Sequence, residues 1–396
     1  MKKFFTILLT FCLLLIGLIF PSCGEDSSVS ESTVESVALS TLLPFDEFNL
    51  KTYLTPVWLG DTVYNETIMF VGQSDEQQLL YPATEIVSVR SYDLKTEYKL
   101  GVDYLFDEQT NSITLTDNTR MPYFVKKAYY PDVSQYHSAS RNTGLFFKEG
   151  GLISERQLAV TYRAKKDDTL TIPTNYSDRY ANFLNKVESG EKVKICFFGD
   201  SITVGGNSSG FVNIPPYMPN FANLVTEGLK VLYSNPNIEM VNHAKGGETS
   251  LWGMRNISLV TDENPDLVVL AWGMNDLTLG AGRFKNQVKE MIDSIKNACP
   301  NADILLVGSM YPNGDVLEFR MNNDYVSSPF TLYEHKQKEL AEEYGLGIAL
   351  VTTMHREMLE KKSYYSMTAN NINHPSDFLI RIYAQNILYA LTNKTF

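Results

Sequence analysis

The sequence predicts a three-layer α/β fold, a parallel sheet with helices on both faces, preceded by an all-β sandwich or jelly-roll domain. Three observations predict it. Residues from about 42 to 163 alternate apolar and polar positions in short runs and lack long helical periodicity. From about Thr171 onward, apolar runs alternate with amphipathic stretches, the rhythm of strands buried on both faces and of the helices that cover them. The chain is 396 residues long with 44% apolar residues, enough for two such parts and a sizeable core.

The chain opens on "MKK", an apolar run from Phe4 to Phe20, and "PSC". This reads as a secretory signal, and the run is marginal for a membrane span. Ser22-Cys23 resembles a bacterial lipoprotein signal, with Cys23 as the lipidated residue. Phe20 and Pro21 depart from that pattern, and an ordinary signal cut nearby is the other reading. The next stretch, "GEDSSVSESTVES", is polar, acidic and serine-rich, and suits a solvated tether. The expected organisation is a signal over 1–23 and a flexible tether over 24–41. The expected location is the bacterial cell envelope, lipid-anchored at the outer membrane or cell surface, or secreted. Net charge is −12 and no polybasic run occurs, which argues against nucleic acid and against anionic membrane surfaces. Membrane contact is expected through the lipid anchor only.

The β-rich domain is expected over 42–170. Its clearest strands are "EIVSVRSYDL", "NSITLTDN" and "QLAVTYRA", with turn signals such as "DEQTN" and "KEGG" between strands. Tyr92, Tyr98, Tyr104, Tyr123, Phe124, Tyr129, Tyr130 and Tyr136 either fill its core or form a sugar-stacking face. The α/β domain is expected over 175–396 and is expected to act on small soluble esters without the β-rich part. It starts with an amphipathic helix in "YSDRYANFLNKVESGEK" and a strand from Lys192 to Phe198. Further strands are read in "IEMVNHA", "DLVVLAWG", "DILLVGS" and "GIALVTT". Helices are read in "FANLVTEGLKVLYS", "FKNQVKEMIDSIKNA", "LYEHKQKELAEEY" and "DFLIRIYAQNILYALT". Only Cys196 and Cys299 remain beyond the leader, nothing suggests that they meet, and no metal-ligand spacing occurs.

Parallel sheets form sites beyond the carboxyl ends of their strands, and Ser201 stands at such an end in "FFGDSIT". Alone, Gly199-Asp200-Ser201 also fits a phosphate-binding turn or a helix cap. The next strand ends at Gly246-Gly247, the third at Asn275, and "NNINHPSDF" places His374 before the last helix. A nucleophile needs a base and an oxyanion needs donors. Ser201 with His374 supplies the first; the Ser201 and Gly247 N–H groups with the Asn275 side chain supply the second. Of the other histidines, His137 is in the β-rich half, His335 and His355 are expected in solvated helical stretches, and His243 adjoins the second block.

The four ordered blocks "FGDSIT", "NHAKGGETS", "GMND" and "NHPSD" resemble those of the GDSL/SGNH hydrolase family. The resemblance implies Ser201 as nucleophile, Gly247 and Asn275 as oxyanion donors and His374 as base, with no metal or organic cofactor. The family usually carries Asp three residues before the histidine; here Asn371 stands there. Asn371, or a nearby main-chain carbonyl, is therefore expected to orient His374 as a neutral acceptor, and Asp377 is expected to cap the last helix. The implied activity is a serine esterase; compartment, the preceding β-rich domain and the family together make acyl, most simply acetyl, esters of a polysaccharide or oligosaccharide the expected substrate. A lipid or thioester hydrolase on the same fold and an inactive surface glycan-binding lipoprotein are the alternatives.

Overall fold

The computed structural model describes residues 49–130, 145–277, 279–314 and 328–396. The signal, Cys23, the tether, Tyr136 and His137 lie outside the described residues. Seven strands occupy the first part: β1 (Thr62–Met69), β2 (Glu76–Gln78), β3 (Ala83–Ser91), β4 (Glu97–Tyr98), β5 (Tyr104–Asp107), β6 (Ser112–Leu115) and β7 (Gln157–Ala164). They form two antiparallel sheets, in the orders β1-β7-β3-β4 and β2-β6-β5. The "QLAVTYRA" stretch is β7 itself, in the middle of the larger sheet. Tyr92, Tyr98, Tyr104, Phe124 and Tyr129 are buried, so these rings fill core rather than a sugar-stacking face; Tyr130 is exposed.

Five strands follow: β8 (Val193–Gly199), β9 (Ile238–Asn242), β10 (Leu267–Ala271), β11 (Asp303–Val307) and β12 (Gly347–Ala349). All pairs are parallel, in the order β12-β11-β10-β8-β9. The continuous apolar run of β8 is explained by burial on both faces. Phe197 meets Phe221 of the helix Phe221–Tyr233, while the next residue, Phe198, meets Trp252 of the helix Ser250–Arg255. Consecutive side chains on a strand point to opposite faces, so helices lie on both sides of the sheet, as expected. After β8 the chain pairs β9 on one side, then crosses to build β10, β11 and β12 on the other. The end of β8 is thus a topological switch point, where open parallel sheets leave a crevice.

Among the described residues, the β-rich and α/β parts belong to one compact unit and share one apolar core. The helix Asp377–Leu391 joins them. It is buried on nearly every side, which a sequence apolar but for Asp377, Arg381, Gln385 and Asn386 permits. Its buried Arg381 donates to the carbonyls of Tyr64 (2.8 Å) and Asn65 (3.3 Å). Those carbonyls are presented by an irregularity in β1 between Val63 and Glu66, where Asn65 takes a left-handed φ of 46°. Gln385 on the same helix donates to Tyr53 O (2.7 Å) and accepts from Val57 N (3.1 Å).

Candidate active site

The switch point supplies the nucleophile. β8 ends at Gly199, Asp200 caps the following turn, and Ser201 is the first residue of the short helix Ser201–Val204. Asp200 Oδ1 accepts from Ile202 N (3.0 Å), and its main-chain oxygen accepts from Thr203 N and Val204 N. That leaves the Ser201 N–H as the remaining donor of the first turn. Asp200 Oδ2 accepts from Met274 N (3.2 Å), tying the end of β8 to the end of β10. The carboxyl is buried, and burial pushes its pKa up to about 7 against the pull of those two backbone bonds.

The second and third blocks are locked together in the same way. Asp276 accepts from Ser250 N and from Ser250 Oγ (2.7 Å). Asn275 Nδ2 donates to Glu248 O (2.8 Å), using one of its two hydrogens. Gly246 and Gly247 are exposed at the tip between these anchors. A Cβ placed on Gly246 would sit 3.7 Å from Ser201 Cβ, so the tip lies beside the nucleophile. Gly247 has φ 76°, a conformation that glycine adopts at no steric cost.

The loop 367–376 brings the histidine to the serine. His374 Nε2 lies 2.9 Å from Ser201 Oγ. The loop is held by Asn370, whose Oδ1 accepts from the main-chain N–H groups of Ile372, Asn373 and His374, each at 3.0 Å. Asn370 is fully buried and received no role in the sequence reading.

The orienting partner of His374 is not the expected one. Asn371 is fully buried with φ 68°, and its side chain does not turn to the ring. Its Oδ1 accepts from Tyr129 OH (2.9 Å) and its Nδ2 donates to Phe146 O (2.7 Å). His374 Nδ1 instead faces Asn207 Oδ1 at 2.5 Å. Asn207 Nδ2 donates to Gly150 O (3.2 Å), which fixes the amide so that its carbonyl faces the ring. A carbonyl only accepts, so Nδ1 carries the hydrogen and Nε2 is bare toward Ser201. Beyond Asn207 stands Glu149, with Oε2 3.5 Å from His374 Nδ1 and Oε1 accepting from Asn370 Nδ2 (3.3 Å). Glu149 is exposed on one side and partly desolvated on the other; desolvation works against its charge, yet the hydrogen bonds from His374, Asn370 and Asn207 hold its pKa below the usual glutamate value. The sequence signal for Glu149 was the turn "KEGG", and that for Asn207 was the glycine pair before it; neither marks a role without the tertiary contact.

The remaining candidates fall elsewhere. His243 Nε2 pairs with Glu263 (3.0 Å), and His335 pairs on the surface with Glu339. His355 is fully buried rather than solvated; its Nδ1 accepts from Tyr311 N, and burial lowers its pKa to about 3. Asp377 does not cap its helix. Ser376 does, while Asp377 accepts from Ser209 N (3.0 Å) in the loop after the nucleophile. Cys196 and Cys299 are both free and buried. Among the described residues, no group of three His, Cys, Asp or Glu side chains is placed to hold a metal ion.

Comparison with known proteins adds the following. Residues 197–378 match the model of the GDSL-like lipase/acylhydrolase family. No curated protein matches the chain. Among solved structures, a catalytic mutant of Axe2, an acetylxylan esterase from Geobacillus stearothermophilus, is similar at 19% identity and a TM-score of 0.42. It aligns over 51% of this chain and 95% of that one. A two-domain esterase active on acetylated mannans is similar at 21% identity and a TM-score of 0.43, over 54% of each chain. LAE5, an alpha/beta hydrolase from the metagenome of Lake Arreo, Spain, is similar at 18% identity and a TM-score of 0.39, over 50% of this chain and 93% of that one.

Proposed function

We propose that this chain, whose residues 197–378 form a GDSL-like lipase/acylhydrolase domain, is a serine esterase that removes acyl groups, acetyl in the simplest case, from an acylated glycan. The observation that carries the reading is the 2.9 Å approach of His374 Nε2 to Ser201 Oγ at the switch point of the sheet. The Nδ1 hydrogen of that ring is engaged by Asn207.

In this reading Ser201 Oγ attacks the ester carbonyl carbon while its proton passes to His374 Nε2. The developing oxyanion is met by the N–H groups of Ser201 and Gly247 and by the second Nδ2 hydrogen of Asn275. Collapse expels the alcohol, which takes the proton from Nε2. Water, deprotonated by the same nitrogen, then cleaves the acyl-enzyme and frees the serine. A sugar as the alcohol is supported by polar neighbours of the site residues: Lys245 and Glu248 flank Gly246-Gly247, Asn373 precedes His374, and Glu149 Oε2 lies 3.5 Å from His374 Nδ1. It is also supported by Phe211 and Tyr217, exposed on the loop that carries Asn207. Tethering in the cell envelope through Cys23 is part of the same proposal and rests on the leader sequence.

The test is a panel of acetylated oligosaccharides and acyl nitrophenyl esters, run beside Ser201→Ala and a serine-reactive fluorophosphonate probe. The expected outcome is acetyl release that falls about a thousandfold or more in Ser201→Ala, with probe labelling lost. Labelling of another serine, or no turnover by the unaltered protein across the panel, sinks the reading. Preference for long acyl chains would replace the glycan by a lipid substrate.

A further inference from the structure

We propose that Glu149, supplied by the β-rich region from outside the matched family segment, is the charged positioning residue for His374. The fully buried Asn370 and Asn371 hold the segment that delivers it. The inference rests on the esterase reading and adds to it a carboxylate that the loop of His374 does not itself contain.

The contacts converge on one short segment. Phe146 N donates to Tyr129 O (2.8 Å), and Phe146 O accepts from Asn371 Nδ2 (2.7 Å). Three residues on, Glu149 accepts from Asn370 Nδ2 (3.3 Å), and Gly150 O accepts from Asn207 Nδ2 (3.2 Å). Gly151 is pressed onto the loop after the nucleophile; a Cβ there would lie 2.4 Å from Ile214 Cδ1. The segment 146–151 is therefore pinned to both loops that build the Ser–His pair. Its one carboxylate sits 3.5 Å from the nitrogen that must hold its hydrogen while the other nitrogen takes the serine proton.

Asn207 and Glu149 divide the task. Asn207 is buried and neutral; it fixes the ring and its tautomer. It cannot neutralise the imidazolium that forms when the serine proton arrives. Glu149 carries the charge that can. Its side chain is 52% exposed, so solvent and salt screen the interaction, and its effect is smaller than that of a buried carboxylate. The buried Asp200 carboxyl also acts on the ring; burial raises its pKa to about 7, so it titrates within the range below, in all variants alike.

The experiment uses the full chain and nitrophenyl acetate, with kcat and KM followed from pH 4.5 to 9. Glu149→Gln keeps an acceptor for Asn370 and removes only the charge. It is expected to lower kcat about tenfold to a hundredfold with KM little changed. It is also expected to move the acid limb of the kcat/KM profile to lower pH. A neighbouring carboxylate favours the imidazolium, so its removal frees the base at lower pH. Glu149→Asp is expected to keep part of the rate and the unaltered limb. Asn207→Ala is expected to lower kcat without moving the limb. Equal losses in Glu149→Gln and Glu149→Asp with an unmoved limb would mean a merely structural role and overturn the inference. So would a Glu149→Gln rate within twofold of the unaltered protein. If the unaltered protein shows no Ser201-dependent hydrolysis, the esterase reading itself fails, and this inference with it.

Discussion

Asn371 occupies the place where the sequence resemblance calls for an acid, and the structure gives it different work. Its two polar atoms are committed to Tyr129 OH and Phe146 O in a fully buried site. Replacing it by aspartate would not create a relay. The donor to Phe146 O would become a second acceptor, and a buried carboxylate would face a carbonyl. Asn371→Asp is therefore expected to destabilise the protein by about 1–3 kcal/mol and to lower turnover, read by urea unfolding and kcat. A rise in kcat would show that the side chain can reach the ring. Ser201, Gly247, Asn275 and His374 were legible because each sits in a local motif at a strand or loop end. Glu149 and Asn207 were not, because their role exists only once distant loops meet; in sequence, "KEGG" is turn punctuation. The buried carboxyls also set a pH dependence. Burial raises the Asp276 pKa to about 6, partly opposed by the Ser250 hydrogen bonds. A folded pKa above the unfolded value of about 3.9 means that its contribution to stability is full below that pH and is lost as pH rises through about 6. Asp276→Asn accepts from Ser250 without a charge. Its stability relative to the unaltered protein is expected to improve by about 1–3 kcal/mol between pH 4 and pH 7.5, measured as the difference of two urea titrations. No such improvement would mean that Asp276 is ionised in the fold at little cost.

The elements that hold the site are short turns with no room to spare, and their glycines are read from contact. Gly206 follows the nucleophile helix, and the His374 ring lies against it. A Cβ at Gly206 would be 2.9 Å from His374 Cε1 and 3.1 Å from Nδ1. Gly206→Ala is thus expected to push the ring off Ser201. Displacement of a catalytic group by about 1 Å costs on the order of a hundredfold in rate. The melting temperature should change less than the rate, because the nearest atoms belong to the end of one side chain; an unaltered kcat would mean that the loop 367–376 follows the ring and restores the contact. At the element scale the sequence reading was strong where periodicity is long. The four helices read between Phe221 and Thr392 lie where apolar spacing placed them. It was weaker where short segments depend on tertiary burial. "GIALVTT" was read as one strand, yet β12 stops at Ala349 and Val351 begins a helix to Leu359. That helix buries His355 against Tyr311 and Tyr364, an apolar setting that its charged neighbours Arg356 and Glu357 conceal in the sequence.

At the scale of the whole molecule, the change of rhythm near Thr171 separates two secondary-structure classes, but the packing does not stop there. Arg381 is buried and its guanidinium is spent on Tyr53, Tyr64 and Asn65, all in the β-rich part, with the Tyr53 ring 4.8 Å from its centre. Lys362 is paired with Glu66, and both side chains are fully buried. Gln157 of β7 donates to Thr368 O (2.7 Å) at the base of the histidine loop. A chain restricted to 175–396 would lose every one of these partners at once. Lys362 and Arg381 would exchange these partners for water, and the larger loss is apolar: the face of the helix Asp377–Leu391 toward β1 would be opened to water, at about 25 cal/mol per Å² of apolar surface. A domain's entire stability is about 5–15 kcal/mol, so the loss of a whole packed face decides whether the fragment folds. The sequence expectation that the α/β part works alone on small esters is therefore replaced by the opposite prediction. The 175–396 fragment is expected to lack a cooperative unfolding transition and to show no Ser201-dependent hydrolysis of nitrophenyl acetate, while the full chain shows both. Adding back a separately made 49–170 fragment is expected to recover part of the activity, because the missing residues include Glu149 and the supports of the His374 loop. A 175–396 fragment that melts cooperatively and turns over the small ester at the full-chain rate would show that the β-rich part is dispensable for chemistry and would leave it a role only on polymeric substrate.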